Sequence, residues 1–426
     1  MPFRRVAPLI TLVVLAVVAG TARSNEPAAA IDAYVAPMLA RGDLSGQLVV
    51  RRHGEVVVER SFGLADAATG APVTPTTLFN IASVTKPMTF AVAVQLMDER
   101  KLSPRDSLAR WFPAFPSADS ITVIMLLTHR AGIPHEVIPD SEMVRPFTAA
   151  EVVERASKLP LDFPPGSRSR YSSGGFEVLA RVLELAGGMD YAQLLAKRIF
   201  EPLGMTHSAH LDSRSPRPGQ ATARVPGPHG LEPAPFQDFS AIVGAGSVWS
   251  TADDLHRFVA AVVEGKLGPG PQLSWVRNGR LDFNGRTGGF KAWALWDSTS
   301  GVEAVFLGNV ASGAPDALKR DILDLATGKA VPSPVIPELS DKSPPASELA
   351  RCEGVYEIDN GPRLELRVKN GVLYSNDWVL QPTRDGAFFS PRDYGLVRPI
   401  AGPDGRITRL DWTQGNQTYP APRTGD

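Results

Sequence analysis

Residues 79–87, FNIASVTKP, and the run MTFAVAVQL that follows at 88–96 decide how the chain folds. Apart from Gln95, the run from Met88 to Leu96 offers no strongly polar face, and a helix that is apolar on every side has to be buried. It is much shorter than the roughly 20 apolar residues that span a bilayer. The pattern therefore predicts a core helix inside a soluble domain.

Ser83 lies where this helix would begin. Pro87 is tolerated only near the first turn, where backbone N–H groups have no partners within the helix. Ser83 and Lys86 are three residues apart, so their side chains share one face of the helix. Ser83 is a candidate nucleophile on this spacing, and the alternative is that it only caps the helix.

The segments around this helix predict an α+β fold. Strands at both ends of the region with helices between them indicate one antiparallel sheet flanked by helices, together with an all-helical subdomain. The hairpin around His53-Gly54 is predicted by its two-residue loop, and capping signals start helices at Thr148 and Ser250. The other predicted elements are an opening helix from Ile31, helices at 121–127, 176–185 and 191–200, a proline-rich loop at 212–236 that could border a site or be inert, and strands at 289–297 and 302–309.

The sequence pattern of the C-terminal part predicts a separate small all-β domain. The dipeptides Asn370-Gly371, Asp385-Gly386 and Asp404-Gly405 each lie between alternating or apolar runs, which is a strong hairpin signal. A Pro- and Ser-rich segment with little apolar content precedes them and indicates a linker. We therefore predict a main domain at 25–335, a linker at 336–348 and a small barrel or sandwich at 349–426.

The N-terminus predicts export. Two arginines precede an apolar run of about 15 residues and then small residues at plausible cleavage positions, as in a secretory signal peptide spanning residues 1–24. An uncleaved membrane anchor is the alternative, but the apolar run is short for a membrane span. We expect a periplasmic or secreted protein with no integral membrane contact after cleavage.

Composition narrows the class of function. The 426 residues carry a net charge of −1 without a dense Lys/Arg block, which argues against a nucleic-acid partner and favours a small-molecule substrate. Cys352 is the only cysteine, and its expected role is that of a small buried apolar residue. There is no H-E-x-x-H segment or cysteine cluster, so the sequence predicts neither a metal site nor a cofactor.

Two later segments give the Ser83/Lys86 pair its significance, because a bare S-x-x-K is expected about once by chance in such a chain. These are Tyr171-Ser172-Ser173 and Arg286-Thr287-Gly288-Gly289, the second placed at the opening of a strand. With them the chain resembles the serine β-lactamase and penicillin-binding-protein superfamily, most closely its class C β-lactamase and family VIII carboxylesterase branch. The resemblance extends to three further segments: LTHRAGIP at 127–134, FEPLGMT at 200–206, and residues 244–255. It covers most of residues 30–330. Residues 349–426 also resemble the small β-barrel domains that are appended to some of these hydrolases.

The resemblance implies an acyl-enzyme mechanism. Ser83 would be the nucleophile, Tyr171 and Lys86 its base pair, and the backbone N–H groups of Ser83 and Gly289 the oxyanion hole. The residues themselves suit these roles. Burial and the positive end of the helix dipole favour a neutral Lys86, and cations at Lys86 and Arg286 would favour the phenolate of Tyr171.

Less specific explanations exist for three of these residues. Tyr171 could be a core aromatic residue ahead of a helix, and Arg286 could be a solvated strand residue. His129 is expected to be a structural hydrogen-bonding residue rather than a base. The absence of a G-x-S-x-G segment from the sequence counts against an ordinary α/β-hydrolase.

Two positions depart from the family pattern, and both bear on the substrate. Ser173 stands where the family has an asparagine that contacts the substrate amide, which should weaken binding of penicillin-like amides. Arg286 stands where the family has Lys or His; it stays charged and can grip a carboxylate with two hydrogen bonds. Thr287 and Gly288 complete the expected substrate-binding set.

We therefore predict a serine hydrolase of small esters or D-amino-acid peptides with at most weak β-lactam hydrolysis. The alternatives are a D-aminopeptidase or D,D-carboxypeptidase, a true class C β-lactamase, and a non-catalytic binder of peptidoglycan peptides or regulatory protein.

Overall fold

The computed structural model describes residues 26–214, 216–334, 336–359, 361–415 and 417–425. The expected signal peptide at 1–24 lies outside them. The described chain contains a five-stranded antiparallel sheet with helices on both faces and a closed eight-stranded barrel at its C-terminal end. The predicted α+β fold with a small all-β part is confirmed.

The first part of the chain contains helices and strands in mixed order. Its strands are β1 (Gly46–Arg52), β2 (Glu55–Phe62), β3 (Leu64–Asp66), β4 (Ala71–Pro72), β5 (Phe79–Asn80), β6 (Ala209–His210), β7 (Arg224–Gly227), β8 (Gly230–Pro233), β9 (Val248–Ser250), β10 (Arg280–Arg286), β11 (Lys291–Asp297) and β12 (Val302–Gly308). Its helices are α1 (Glu26–Ala40), α2 (Thr85–Asp98), α3 (Val123–Leu127), α4 (Ala149–Ala156), α5 (Ser173–Gly187), α6 (Tyr191–Leu195), α7 (Glu201–Leu203), α8 (Ala252–Val263), α9 (Pro269–Trp275) and α10 (Ala314–Ala326).

The central sheet separates two hydrophobic cores. Its strands lie in the order β10-β11-β12-β1-β2. Along β12, Ala304 and Phe306 pack into the core under α1 and α10, whereas Val305 and Leu307 face the core that contains α2. The two-residue period of a strand thus supplies both layers from one segment.

The predicted core helix is confirmed as α2. Met88, Ala91, Val92 and Leu96 are completely buried. Burial of each large apolar side chain stabilises the fold by about 1.5–3 kcal/mol. A helix anchored on all sides in this way fixes the position of the residues at its N-terminal end.

Most local predictions agree with the structure. The opening helix, the hairpin around His53 and Gly54, the helix after residue 121 and the strand pair β11 and β12 are all present. His53 and Gly54 have φ values of 51° and 86°, as the two central residues of a tight hairpin turn require. The loop at 212–236 contains the two-stranded ribbon of β7 and β8.

The predicted helix starts and stops contain two errors. Thr148 forms the capping box with Glu151, but Ser250 does not cap α8. Ser250 belongs to β9, where it pairs with Phe79, and the cap is the next residue, Thr251. The helical segment predicted to end at residue 200 continues through a π-helical turn at 196–200 and then α7.

The C-terminal strands close into a barrel in sequence order. Each of the three predicted Asx-Gly dipeptides separates two neighbouring strands. Cys352 is buried against the barrel core, and burial raises the pKa of its thiol to about 11, so it is an inert apolar residue as predicted. The elements are α11 (Ala346–Cys352), β13 (Gly354–Glu357), β14 (Arg363–Lys369), β15 (Val372–Ser375), β16 (Trp378–Pro382), β17 (Phe388–Ser390), β18 (Gly395–Ala401), β19 (Ile407–Gln414) and β20 (Gln417–Gly425).

The barrel packs directly against the first part of the chain. The N–H group of Gly313, at the start of α10, donates to the carbonyl oxygen of Pro391 at 2.8 Å. A Cβ atom on Gly313 would lie 2.5 Å from the carbonyl oxygen of Arg392, so only glycine allows this approach. The side chain of Gln381 accepts a hydrogen bond from Arg41 at 2.9 Å and donates one to a backbone carbonyl at 2.9 Å. In the described ranges no helix has the length and apolarity to cross a bilayer.

Candidate active site

Ser83 lies in a 3₁₀ turn, Ala82–Val84, that leads into α2. The turn is set by Asn80, whose side-chain oxygen accepts from the N–H group of Ala82 at 3.0 Å, and Ala82 itself has a φ of 50°. Strand β10 passes close by. A Cβ atom on Gly285 would lie 3.1 Å from the backbone nitrogen of Ser83, so glycine lets the strand approach the turn.

Lys86 is buried behind Ser83, with 3% of its surface exposed. Its Nζ lies 3.1 Å from Ser83 Oγ, 3.2 Å from Ser173 Oγ and 2.9 Å from the carbonyl oxygen of Ala245. Burial lowers the pKa of Lys86, against the opposing effects of Tyr171 and Glu177. A neutral amine still donates to the Ala245 carbonyl and has a lone pair that can accept a proton from a serine hydroxyl.

Tyr171 completes the contact to Ser83. Its hydroxyl donates to Ser83 Oγ at 2.9 Å, and its half-exposed ring lies 4.9 Å from Lys86 Nζ. Ser83 Oγ is therefore within hydrogen-bond distance of both Lys86 and Tyr171, and a basic group at such a distance can activate a hydroxyl nucleophile.

Two histidines hold the segment that carries Tyr171. His129 Nδ1 accepts from the N–H group of Ser172 at 3.3 Å, and His135 Nδ1 accepts from that of Ser173 at 3.2 Å. Both rings also pack against the ring of Tyr171. Burial lowers the pKa of His129 to about 4. The ring is then neutral at neutral pH, and the predicted structural role of His129 is confirmed by these contacts.

The segment Arg286-Thr287-Gly288-Gly289 does not open a strand, contrary to the prediction. Arg286 is the last residue of β10, and the next four residues, 287–290, form the turn to β11, in which the N–H of Thr287 donates to the carbonyl of Phe290 at 3.2 Å. The side chain of Thr287 donates to Asn80 at 3.0 Å, which ties the turn to the strand before Ser83.

The structure brings most of the predicted site residues to one cavity of about 780 Å³. Ser83, Tyr171, Ser173, Arg286, Thr287 and Gly288 all line it. Gly289 does not; a Cβ atom there would meet Ala223 at 2.5 Å, and Ala223 lines a second, more apolar cavity of about 630 Å³. Gln237, Phe239 and Gly288 line both cavities.

The cationic side of the cavity was only partly predicted. Arg286 Nη2 lies 3.2 Å from a carboxylate oxygen of Asp316, which also pairs with Lys291. Burial lowers the pKa of Lys291 to about 8. Lys291 pairs with Arg286 between strands β10 and β11. A prediction of both strands with the correct bounds would therefore have placed Lys291 beside Arg286 in the site.

Two residues of the barrel also line the cavity, Trp378 and Arg392. The Arg392 guanidinium stacks over the Trp378 ring at 3.9 Å. No local pattern in the sequence connects them with the site, because they lie about 300 residues after Ser83. Within the described ranges, no group of three or more His, Cys, Asp or Glu side chains could hold a metal ion.

Comparison with known proteins agrees with this geometry. The β-lactamase family model matches residues 31–329. Esterase EstB of Burkholderia gladioli is 34% identical over 197 residues, which cover 42% of this chain and 50% of EstB. The D-alanyl-D-alanine-carboxypeptidase/endopeptidase AmpH of Escherichia coli is 30% identical over 240 residues, which cover 54% of this chain and 60% of AmpH. These matches span only about half the length of the relatives.

The fold extends over nearly the whole chain in a solved structure. The octameric penicillin-binding protein homologue from Pyrococcus abyssi superposes with a TM-score of 0.61 at 18% identity and covers 92% of this chain and 99% of its own. At this identity the likeness concerns the fold alone. The family match covers more than half of the sequence, and the predicted resemblance is confirmed: the chain belongs to the β-lactamase family.

Proposed function

We propose that the protein is an exported hydrolase that forms an acyl-enzyme on Ser83, and that it acts on small esters or D-amino-acid peptides with at most weak β-lactam hydrolysis. The observation that carries this proposal is the position of Ser83 Oγ, 3.1 Å from Lys86 Nζ and 2.9 Å from the Tyr171 hydroxyl. Both partners are of the kind that activates a serine for acyl transfer.

The proposed reaction has two halves. The Tyr171/Lys86 pair takes the hydroxyl proton as Ser83 Oγ attacks the carbonyl carbon, and the same pair returns a proton to the leaving group as its bond to that carbon breaks. Water then attacks the acyl-enzyme and releases the acid. The Ser83 N–H and the Gly289 N–H are the proposed oxyanion donors; Gly288, next to Gly289, lines the site cavity.

Substrate choice follows from the two departures from the family pattern. Ser173 Oγ accepts a hydrogen bond from Lys86 and lies on a shorter side chain than the asparagine amide of the family pattern, which argues against efficient β-lactam binding. On the other wall, the three cations Arg286, Lys291 and Arg392 face two carboxylates, those of Asp316 and Asp393. This net positive charge favours substrates with a carboxylate. The names of EstB and AmpH, an esterase and a D-alanyl peptidase, agree with both proposed substrate classes.

Labelling with a fluorophosphonate, followed by mass spectrometry, tests the nucleophile. We expect one adduct on Ser83, none on the Ser83→Ala variant, and normal labelling of Ser120→Ala, which changes an exposed serine away from the site. A folded protein without an adduct on Ser83 would support the non-catalytic alternative instead.

A substrate panel tests the specificity. Short p-nitrophenyl esters and D-alanyl peptides should be cleaved at least about tenfold faster in kcat/KM than a chromogenic cephalosporin. The reverse order would show a true β-lactamase and refute the role given to Ser173. Arg286→Ala should mainly raise KM for carboxylate substrates, whereas a fall in kcat alone for every substrate would indicate that Arg286 acts on Tyr171 instead.

Export is proposed from the first 24 residues. N-terminal sequencing of the protein from the periplasm or medium should find a chain that starts near residue 25. Recovery of the full-length chain in the membrane fraction would favour the uncleaved anchor.

A further inference from the structure

A buried carboxyl group with an unpaired oxygen lines the cavity that contains Ser83. Glu177 lies in α5 with 1% of its surface exposed, and within the described ranges its Oε2 atom makes no hydrogen bond. A buried polar group left unpaired costs about 1–3 kcal/mol or more. Its neighbours in the helix, Phe176, Val178 and Leu179, are apolar residues that pack without this cost.

The helix places Glu177 close to the reacting groups. Ser173, whose hydroxyl contacts Lys86, and Glu177 are four residues apart and so lie on the same face of α5, about 5–6 Å apart at Cβ. Both line the cavity. A ligand atom beside the Glu177 carboxyl would therefore be only a few bonds from a carbonyl carbon in contact with Ser83.

Other acidic groups share this wall. Glu136 and Asp140 are exposed and line the same cavity, and Glu136 adds its negative charge to the environment of Glu177. Burial and this charge raise the pKa of Glu177 to about 8, while Lys86 opposes the shift. A cation from outside the protein would remove this penalty. The cationic residues Arg286, Lys291 and Arg392 line the same cavity, and a bound cation would be repelled from them.

We propose that Glu177, supported by Glu136 and Asp140, forms a subsite for the ammonium group of the substrate, and that the preferred substrates are aminoacyl esters or peptides with a free amine close to the scissile carbonyl. The inference rests on the proposed function at Ser83. The amine would bind to the α5 wall, and a carboxylate on the leaving group would bind to the wall of Arg286 and Arg392. A bound substrate is thus oriented by charge at both ends.

Matched substrates test the subsite. Alanine methyl ester has a free amine that N-acetylalanine methyl ester replaces with a neutral acetamide, and a pH-stat follows the hydrolysis of each as its faster enantiomer. We expect kcat/KM for the free amine to exceed that for the acetylated ester by at least about tenfold. Glu177→Gln should remove this preference and leave the acetylated ester within about threefold of the wild-type value. Glu154→Gln, which changes an exposed carboxylate of α4 outside this cavity, should leave both rates unchanged.

Each result decides the question. Equal rates for the two esters in the wild-type protein would overturn the subsite, and so would an equal fall for both in Glu177→Gln, since that pattern assigns Glu177 to the positioning of Lys86. If Glu177→Gln does not fold, the exposed Glu136→Gln variant replaces it, with an expected loss of about two- to fivefold for the free amine only. Phenyl acetate, which has no amine, separates this proposal from the proposed function. If Ser83 hydrolyses phenyl acetate but the two alanine esters react equally fast, the subsite alone is refuted.

Discussion

The buried carboxyl of Glu177 makes a specific prediction about stability and pH. Its pKa is raised from 4.5 to about 8 in the folded protein, chiefly by burial. The folded state therefore holds a proton that the unfolded state releases between these values. For such a group the stabilising contribution is complete below pH 4.5 and is lost as the pH rises through 8. The Glu177→Gln variant has nothing to titrate at this position.

The size of the effect follows from the two pKa values. Between pH 5 and pH 9 the free energy of unfolding of the wild-type protein should fall by about 4 kcal/mol relative to that of Glu177→Gln, from 1.36 kcal/mol for each pKa unit. The other titrating groups are common to both proteins and cancel in the difference. The Glu177→Gln substitution should be nearly neutral near pH 5, where an amide replaces a protonated carboxyl of the same shape.

Urea unfolding at pH 5, 7 and 9, followed by far-UV circular dichroism, measures this difference. The helical signal reports mainly on the part of the chain before the barrel, because α11 is the one α-helix described after α10. Glu154→Gln, with an exposed carboxylate, should follow the wild-type protein at every pH. A difference between wild type and Glu177→Gln that stays within about 1 kcal/mol from pH 5 to pH 9 would refute the account, because it would show that Glu177 is already ionised in the fold.

Three further substitutions probe the site. Gly285→Ala should destabilise the fold by about 1–3 kcal/mol and lower kcat by roughly 10- to 100-fold, because the new Cβ atom would press on the backbone of the nucleophile. The control, Gly175→Ala, should do neither, since its Cβ atom would have ordinary contacts at 3.6 Å or more. Equal behaviour of the two variants in melting and rate assays would contradict this. Lys86→Met should lower kcat for p-nitrophenyl acetate by about 10²- to 10⁴-fold without loss of the folded circular dichroism spectrum, and a rate within tenfold of wild type would exclude it as base. Arg392→Ala should raise KM for carboxylate substrates about tenfold and leave neutral esters unchanged; Arg398→Ala, elsewhere on the barrel, is the control, and a loss for neutral esters too would assign Arg392 a structural role.

Local signals explain why much of the fold could be predicted from the sequence. The all-apolar run behind Ser83 requires burial whatever surrounds it, and the Asx-Gly turns fix neighbouring strands through their own backbone conformations. Where two local signals compete, prediction fails by a residue: Ser250 and Thr251 are both good caps, and only the pairing of Ser250 with Phe79 in a distant strand decides between them.

The rest of the site depends on contacts that leave no local trace. Lys291 lies on a strand whose partner β10 was not predicted, and Arg392 reaches the cavity only because the barrel packs on the loop before α10. Glu177 is misleading in sequence, since Glu177, Arg181 and Glu184 are spaced at i, i+4 and i+7, and charged residues at this spacing normally mark the solvent face of an amphipathic helix. Its burial emerges only when α5 is packed among α2, α3 and α4.

The positions of the site residues explain why the family resemblance predicts the type of reaction better than it predicts the substrate. Ser83, Lys86 and Tyr171 must lie within hydrogen-bond distance of one another, so few replacements at these positions keep the proton transfer. Glu177, Lys291 and Arg392 line the cavity without a hydrogen bond to Ser83 among the described contacts, so a change at any of them breaks no hydrogen bond to the nucleophile. Because they come from a helix, a strand and the barrel, the charge of each wall can vary independently, and the substrate has to be found from the walls rather than from the nucleophile.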